Sequence, residues 1–185
     1  MTGRGNVESM NDLPTAFTFS PIGYVRTPYE RRIDAPHQPT VVEGTETGAP
    51  AEALLELVAE LPQEVLLGLQ GFERVWLIFV FDRSEGWAPR VQPPRGPKGK
   101  QGVLATRSPH RPNAIGLSAV ELVSLEGKLL RLRGVDLLDG TPVLDIKPYV
   151  PYADAFPESR AGWIDAVDAT TGRRSAPGPR RPRMS

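Results

Sequence analysis

At 185 residues, with 39% hydrophobic and 24% charged residues, the chain has the size and composition of one globular domain, since a chain of this length buries roughly two-thirds of its unfolded surface. The lack of cysteine excludes disulfides, thiolate metal sites and a cysteine nucleophile, and with two histidines no metal centre is expected. The 22 basic and 22 acidic residues cancel, yet eight carboxylates and no Lys or Arg lie between Ile33 and Glu73, whereas Arg83 to Arg111 holds seven basic residues against Glu85 alone.

Met1 to Pro14 has no apolar signal region and is predicted to be disordered. Nowhere do eighteen apolar residues run together, so no membrane segment is expected and the predicted compartment is the cytoplasm. Phe17 to Arg26 reads as a strand. Ala51 to Leu69 fits both helical and strand spacing, but Pro62 divides it: a strand or short helix before, and a helix from Pro62 to Leu69 closed by Gly68 and Gly71. Glu73 to Asp82 is a continuous apolar and aromatic run that predicts a central strand. Ile115 to Leu125 and Lys128 to Leu138, joined at Glu126-Gly127, predict an antiparallel hairpin. Thr141 to Ile146 and Ala161 to Ala169 add two shorter predicted strands.

These elements predict a mainly β fold, a small antiparallel β-barrel or β-rich α+β domain of five to seven strands with one or two short helices. The domain is expected over residues 15–172, with a basic Pro/Arg tail over 173–185. No alternating βαβ pattern and no G-x-G-x-x-G after a first strand is present, so the fold is expected to be non-Rossmann.

Three constellations carry candidate chemistry. Thr106-Arg107-Ser108-Pro109 and Arg111-Pro112-Asn113 form a loop whose prolines fix the backbone, and preorganised side chains bind at lower entropic cost. Arg107 and Arg111 offer planar forks for carboxylate or phosphate, and Asn113 both a donor and an acceptor; the alternative is that these arginines clamp a neighbouring loop or a second subunit. Asp136, Asp139 and Asp145 lie within ten residues beside Lys147 and Tyr149, a grouping that fits acid–base work and equally an ion-pair network at a barrel rim. Arg26-Thr27-Pro28-Tyr29 leading to His37 forms a rigid loop after the first strand. The basic, proline-rich stretch around Pro93-Pro94-Arg95 suggests a surface that meets a polyanion.

Taken in series, Ile22-Gly23 with Arg26 to Tyr29, Pro36 to Pro39, Gly71-Phe72 with Trp76 to Phe81, Pro93 to Arg95, Thr106 to Asn113 with Ile115 to Ser118, and Asp136 to Tyr152 resemble the TsaA-like family. Its characterised members are tRNA (adenine-N6)-methyltransferases that act on threonylcarbamoyladenosine next to the anticodon. The resemblance implies a β-barrel that binds S-adenosylmethionine without a Rossmann fold, near a homodimer interface, with tRNA as partner. It puts the cofactor contacts on Pro39, Thr40 and Val41, on Asp82 and Arg83, on Arg107 and Ser108, on Ser118, and on Val135, Asp136, Leu137 and Leu138. Arg107 is the candidate partner of the cofactor carboxylate. The substrate-facing candidates are Arg95, Arg111, Asn113 and Tyr149, and the base that takes the displaced proton is Asp136, Asp139 or Lys147.

Departures from the family pattern are Asp82 where many bacterial members have histidine, His37 where arginine is common, and Ala114 in place of a frequent proline. The C-terminal domain of the long bacterial form is not expected after Gly172. The alternative functions are a module that binds S-adenosylmethionine or RNA without catalysis, and a methyltransferase of another small acceptor.

Overall fold

The computed structural model describes residues 14–30, 52–94 and 99–171. In chain order these form strands β1 (Gly23–Arg26), β2 (Glu52–Leu57), β3 (Arg74–Val80), β4 (Arg90–Val91), β5 (Gln101–Gly102), β6 (Ile115–Glu126), β7 (Leu129–Arg133) and β8 (Pro142–Pro148), then helices α1 (Pro151–Asp154) and α2 (Trp163–Thr171). Six strands close into an antiparallel barrel in the order β1-β2-β7-β6-β3-β8, and β4 and β5 make a separate two-stranded ribbon. The fold is mainly β, as the strand patterns predict.

Alternation decides which side chains enter the barrel. In β3, Val75, Leu77 and Phe79 are buried while the residues between them are more exposed, as a period of two requires. Val25, Leu55, Val120, Leu130, Leu132 and Val143 complete the same core from the other strands. A fully buried Leu or Val side chain stabilises a fold by about 1.5–3 kcal/mol, so this interior is the main favourable contribution among the contacts described.

Several elements differ from expectation for physical reasons. The first strand starts at Gly23, not Phe17: Pro21 has no N–H to give to a ladder, and pairing begins where Ile22 N–H meets the Val143 carbonyl at 2.8 Å. The helix predicted from Pro62 is a 3-10 turn over Gln63–Leu66. Gly68, at φ +84°, turns the chain into a second one over Leu69–Gly71. The hairpin turn is Gly127-Lys128, because Glu126 pairs directly with Leu129, and β7 ends at Arg133, short of the predicted Leu138.

The largest correction falls on Ala161 to Ala169, expected as a strand and found within the region of helix α2. A closed barrel leaves no free edge for another strand to join. The local sequence supplies a helix start instead: Gly162 turns the chain at φ +63°, and Asp165 Oδ2 accepts the Ala161 N–H at 2.7 Å. Among the described residues, no helix is long and apolar enough to cross a membrane.

Candidate functional site

A cavity of about 1030 Å³ opens at one end of the barrel. Its inner wall comes from positions that alternation turns inward, Phe79 of β3 and Gly116 and Ser118 of β6, and its outer wall from Trp76, Val80, Ile115 and Leu117 on the opposite faces of the same strands. The loop from Thr106 to Asn113 and the segment from Asp136 to Leu138 line the rest. Arg107, Ser118 and Leu138, far apart in sequence, share this one space.

Gly116 makes room for the Phe79 ring. Gly116 pairs with Phe79, and a Cβ at position 116 would fall on the Phe79 ring, so only glycine lets that ring lie flat across β6. Phe79 in turn meets Phe81 edge-on at 5.1 Å between ring centroids, giving an aromatic corner on the cavity wall.

The polar centre is a pair formed across the hairpin: Ser118 Oγ donates to Asp136 Oδ1 at 3.2 Å. The β6–β7 ladder carries a β-bulge on the way to this pair. Near the turn, Ser124 pairs with Arg131, but beyond the extra residue Val123 the partners are Leu122 with Leu132 and Glu121 with Arg133. The ladder ends at Glu121 with Arg133, and past Gly134, at φ +77°, the chain brings Asp136 to Ser118 outside the paired strands. Burial raises the Asp136 pKa above the usual carboxylate value; the Ser118 hydrogen bond, a backbone hydrogen bond and the Arg107 charge oppose that rise without cancelling it.

The arginine loop is tied to itself. Thr106 Oγ1 donates to the Val103 carbonyl at 2.8 Å and accepts the Ser108 N–H at 3.3 Å, and Arg111 Nη1 donates to the Thr106 carbonyl at 3.3 Å. Ser108 Oγ accepts the His110 N–H at 3.3 Å. These bonds add to the prolines in holding Arg107 and Arg111 over the cavity.

Of the residues proposed from sequence, Asp82, Arg83, Arg107, Ser118, Asp136, Leu137 and Leu138 line the cavity, as do Arg111 and Asn113. Arg83 spends its guanidinium on protein: Nη1 donates to the Glu30 carbonyl at 3.0 Å and Nη2 to the Asp139 carbonyl at 2.6 Å. Ser108 lies in the loop, and Val135 is buried in the core, without lining the cavity. Pro39, Thr40, Val41 and Arg95, like His37, lie outside the described residues.

The three acid–base candidates part company. Asp136 lines the cavity and Asp139 and Lys147 do not. Asp139 is a structural hub, its Oδ1 accepting the Thr27 N–H at 3.1 Å and its own N–H donating to the Tyr29 carbonyl at 2.8 Å. Lys147 Nζ lies 2.6 Å from Asp145 Oδ2 on the outer face. Tyr149 packs on Trp76, with 5.4 Å between ring centroids, and stands behind the wall that Trp76 provides.

Sequence reasoning missed Phe79, Phe81, His110 and Thr141 as lining residues. The glycine inside the β6 pattern was the available signal, because glycine in a strand marks a close approach. Nothing in the sequence named Phe79 as the group that approaches.

The profile of the tRNA-methyltransferase O N-terminal domain family matches residues 24–155. The Escherichia coli (strain K12) tRNA (adenine(37)-N6)-methyltransferase is 40% identical over 163 residues, which cover 84% of this chain and 67% of that protein. The Mus musculus protein of the same name is 42% identical over 140 residues, 73% of this chain and 31% of its own length. A crystal structure of TrmO from Pseudomonas aeruginosa superimposes with a TM-score of 0.66 at 44% identity, covering 80% of this chain and 62% of that one. The chain thus spans about two-thirds or less of the length of these relatives.

Proposed function

This chain belongs to the tRNA-methyltransferase O N-terminal domain family, and on that premise we propose that it is an S-adenosylmethionine-dependent methyltransferase that modifies N6 of threonylcarbamoyladenosine next to the anticodon of tRNA. The observation that carries the reading is the convergence of Arg107, Ser118 and Asp136 on one cavity at the barrel end. Its volume matches the upper end of small-molecule sites, about 300–1,000 Å³.

The donor set fits the cofactor's chemistry. Arg107 presents a fork for the cofactor carboxylate, and Arg111 is assigned to the substrate at the same cavity. Phe79, Phe81, Leu137 and Leu138 offer apolar and aromatic surface for a purine. Asp82 and Asp136 supply negative charge for an ammonium or a sulfonium. When bound, the cofactor supplies a methyl group on positively charged sulfur, open to attack from the side opposite the leaving thioether.

The protein's part is to position and to take a proton. The N6 nitrogen must lose one proton as it gains the methyl, and Asp136 is assigned that role because it alone of the three acid–base candidates lines the cavity. Its burial favours the protonated form, so the carboxylate is a better proton acceptor than an exposed aspartate. Ser118 keeps one carboxylate oxygen of this lining residue oriented. Asp139 and Arg83 act by joining the loops at the rim.

The same reading includes a homodimer, supported by the exposed side chains of Leu104, Ile115 and Leu117 at the cavity mouth, and tRNA phosphates meeting the basic stretch from Arg83 to Arg111. It places the enzyme in the cytoplasm, with residues 15–172 as the catalytic unit between the segment 1–14 and the basic tail 173–185. The decisive experiment is mass spectrometry of nucleosides from a deletion strain. Loss of the methylated threonylcarbamoyladenosine, restored by the gene, is expected; identical tRNA from the two strains rules the substrate out.

A further inference from the structure

Two tryptophan indoles join the C-terminal segment to the barrel beside the cavity. At a lining residue, Trp76 of β3 donates its Nε1–H to Asp154 Oδ2 of α1 at 3.0 Å, and the same oxygen accepts the Val150 N–H at 2.8 Å. Next to two others, Leu104 and Thr106, the Ala105 carbonyl accepts the Nε1–H of Trp163 at the start of α2 at 2.8 Å. Residues 151–171 therefore run as a strap between the outer face of β3 and the turn that precedes the arginine loop. The family match ends at residue 155, so the Trp163 end of the strap lies beyond it.

The attachment point matters. Ala105 ends the 3-10 turn Val103–Ala105, whose Val103 side chain is buried and whose backbone is tied to the ribbon through Val103 N–H to the Pro89 carbonyl at 3.0 Å. Thr106 follows at once, and it is the hub to which Ser108 and Arg111 are bonded. A bond to the Ala105 carbonyl therefore acts at the root of the loop that carries both arginines. Trp163 is half-buried, whereas most of the described side chains of α2 are exposed, and its indole bond to Ala105 is one point at which the helix is held to the barrel.

We propose that Trp163 is a positioning residue: by holding the Ala105 carbonyl, its indole N–H sets how the loop presents the Arg107 fork to the carboxylate end of the bound cofactor. Helix α2 is thus part of the site although it does not line the cavity. The inference rests on the methyltransferase reading for the identity of the ligand, but the tether itself does not depend on it.

The test is Trp163→Phe, which keeps an aromatic ring and removes the donor, in the full chain. Hydrogen exchange of the amides of Thr106, Arg107, Ser108, His110, Arg111 and Asn113 is compared with that of β3 and β6. Faster exchange confined to the loop is expected, and unchanged loop exchange overturns the tether. Calorimetry is then run with two probes, S-adenosylhomocysteine, which has the amino-acid carboxylate, and 5′-methylthioadenosine, which lacks it. A loss of about three- to tenfold is expected for the first probe, the size of a modest preorganisation effect, with the second unchanged. Equal losses for both probes, or no loss for either, overturn the positioning role. If the unaltered protein binds neither probe, the cofactor reading fails and takes the positioning role with it, while loop exchange still decides whether the tether exists.

Discussion

On the β1–β2–β7 wall the charges meet one another: Arg26 lies 3.9 Å from Glu56, Glu52 stands 3.1 Å from Arg131 and 3.4 Å from Arg133, and Arg133 closes on Glu121 of β6 at 2.7 Å. At the cavity Arg83 still faces Asp82 at 4.0 Å, but Arg111 and Asp136 are held by neutral groups instead. Arg111 is fixed by the Thr106 carbonyl and Asp136 by the Ser118 hydroxyl, while Arg107 acts on Asp136 only through its field. Charges paired across a sheet cancel and leave little field for a ligand. Charges oriented by neutral dipoles over a concave, partly apolar wall keep theirs, and the low-dielectric surroundings strengthen it.

If that contrast holds, substitutions on the two walls should separate sharply in kind and size. Asp136→Asn should have the largest effect on turnover, a loss of about 10²–10⁴-fold if the carboxylate takes the N6 proton, read in single-turnover assays. Its stability should move the other way. Burial raises the folded-state pKa of Asp136 above 3.8, so its contribution is fully present below that ordinary value and lost as pH rises through the raised one. Thermal melts should find Asp136→Asn at least as stable as the wild type at pH 7, with any advantage closing as the pH falls below 4. A constant gap across that range would contradict the assigned burial cost. In the wild type, turnover should rise with pH over a limb above the ordinary carboxylate range, because the base works only when ionised.

Arg107→Ala should come next, weakening cofactor binding by about 1.5–3 kcal/mol if the guanidinium holds a carboxylate through charged hydrogen bonds. Titration calorimetry with unchanged affinity would remove Arg107 from the site. The smallest effect is expected from Glu52→Gln on the opposite wall. Its side chain is 47% exposed and its arginine partners are 45% and 35% exposed, so solvent screens the pairs and the change should cost less than about 1 kcal/mol. A cofactor affinity altered by Glu52→Gln would break the separation between the walls.

The fold was legible wherever a single stretch carried a period. Val75, Leu77 and Phe79 alternate with more exposed neighbours, and Val120 and Leu122 do the same in β6, so the strands could be read from spacing alone. Ala161 to Ala169 has a local pattern that suits either state, and what excludes a strand there is the closure of a barrel whose edges lie elsewhere in the chain. In the site, the loop from Thr106 to Asn113 announced itself through its density of prolines and arginines. Asp136 could not be separated from Asp139 and Lys147 in the same way, since all three are polar residues near the ends of strands.

By itself, then, the sequence determined the strand-rich class, the proline-stiffened arginine loop and the family, because these depend on residues close together in the chain or on motifs in series. Only the tertiary structure decided that Asp136 faces the cavity while Asp139 and Lys147 are engaged elsewhere, that the Phe79 ring lies over Gly116, and that Trp163 reaches back to Ala105. The physical reason is long-range pairing: barrel closure and strand register set which distant backbones become neighbours, as Phe79 and Gly116 do, and hydrogen bonds between distant residues place the segments outside the strands.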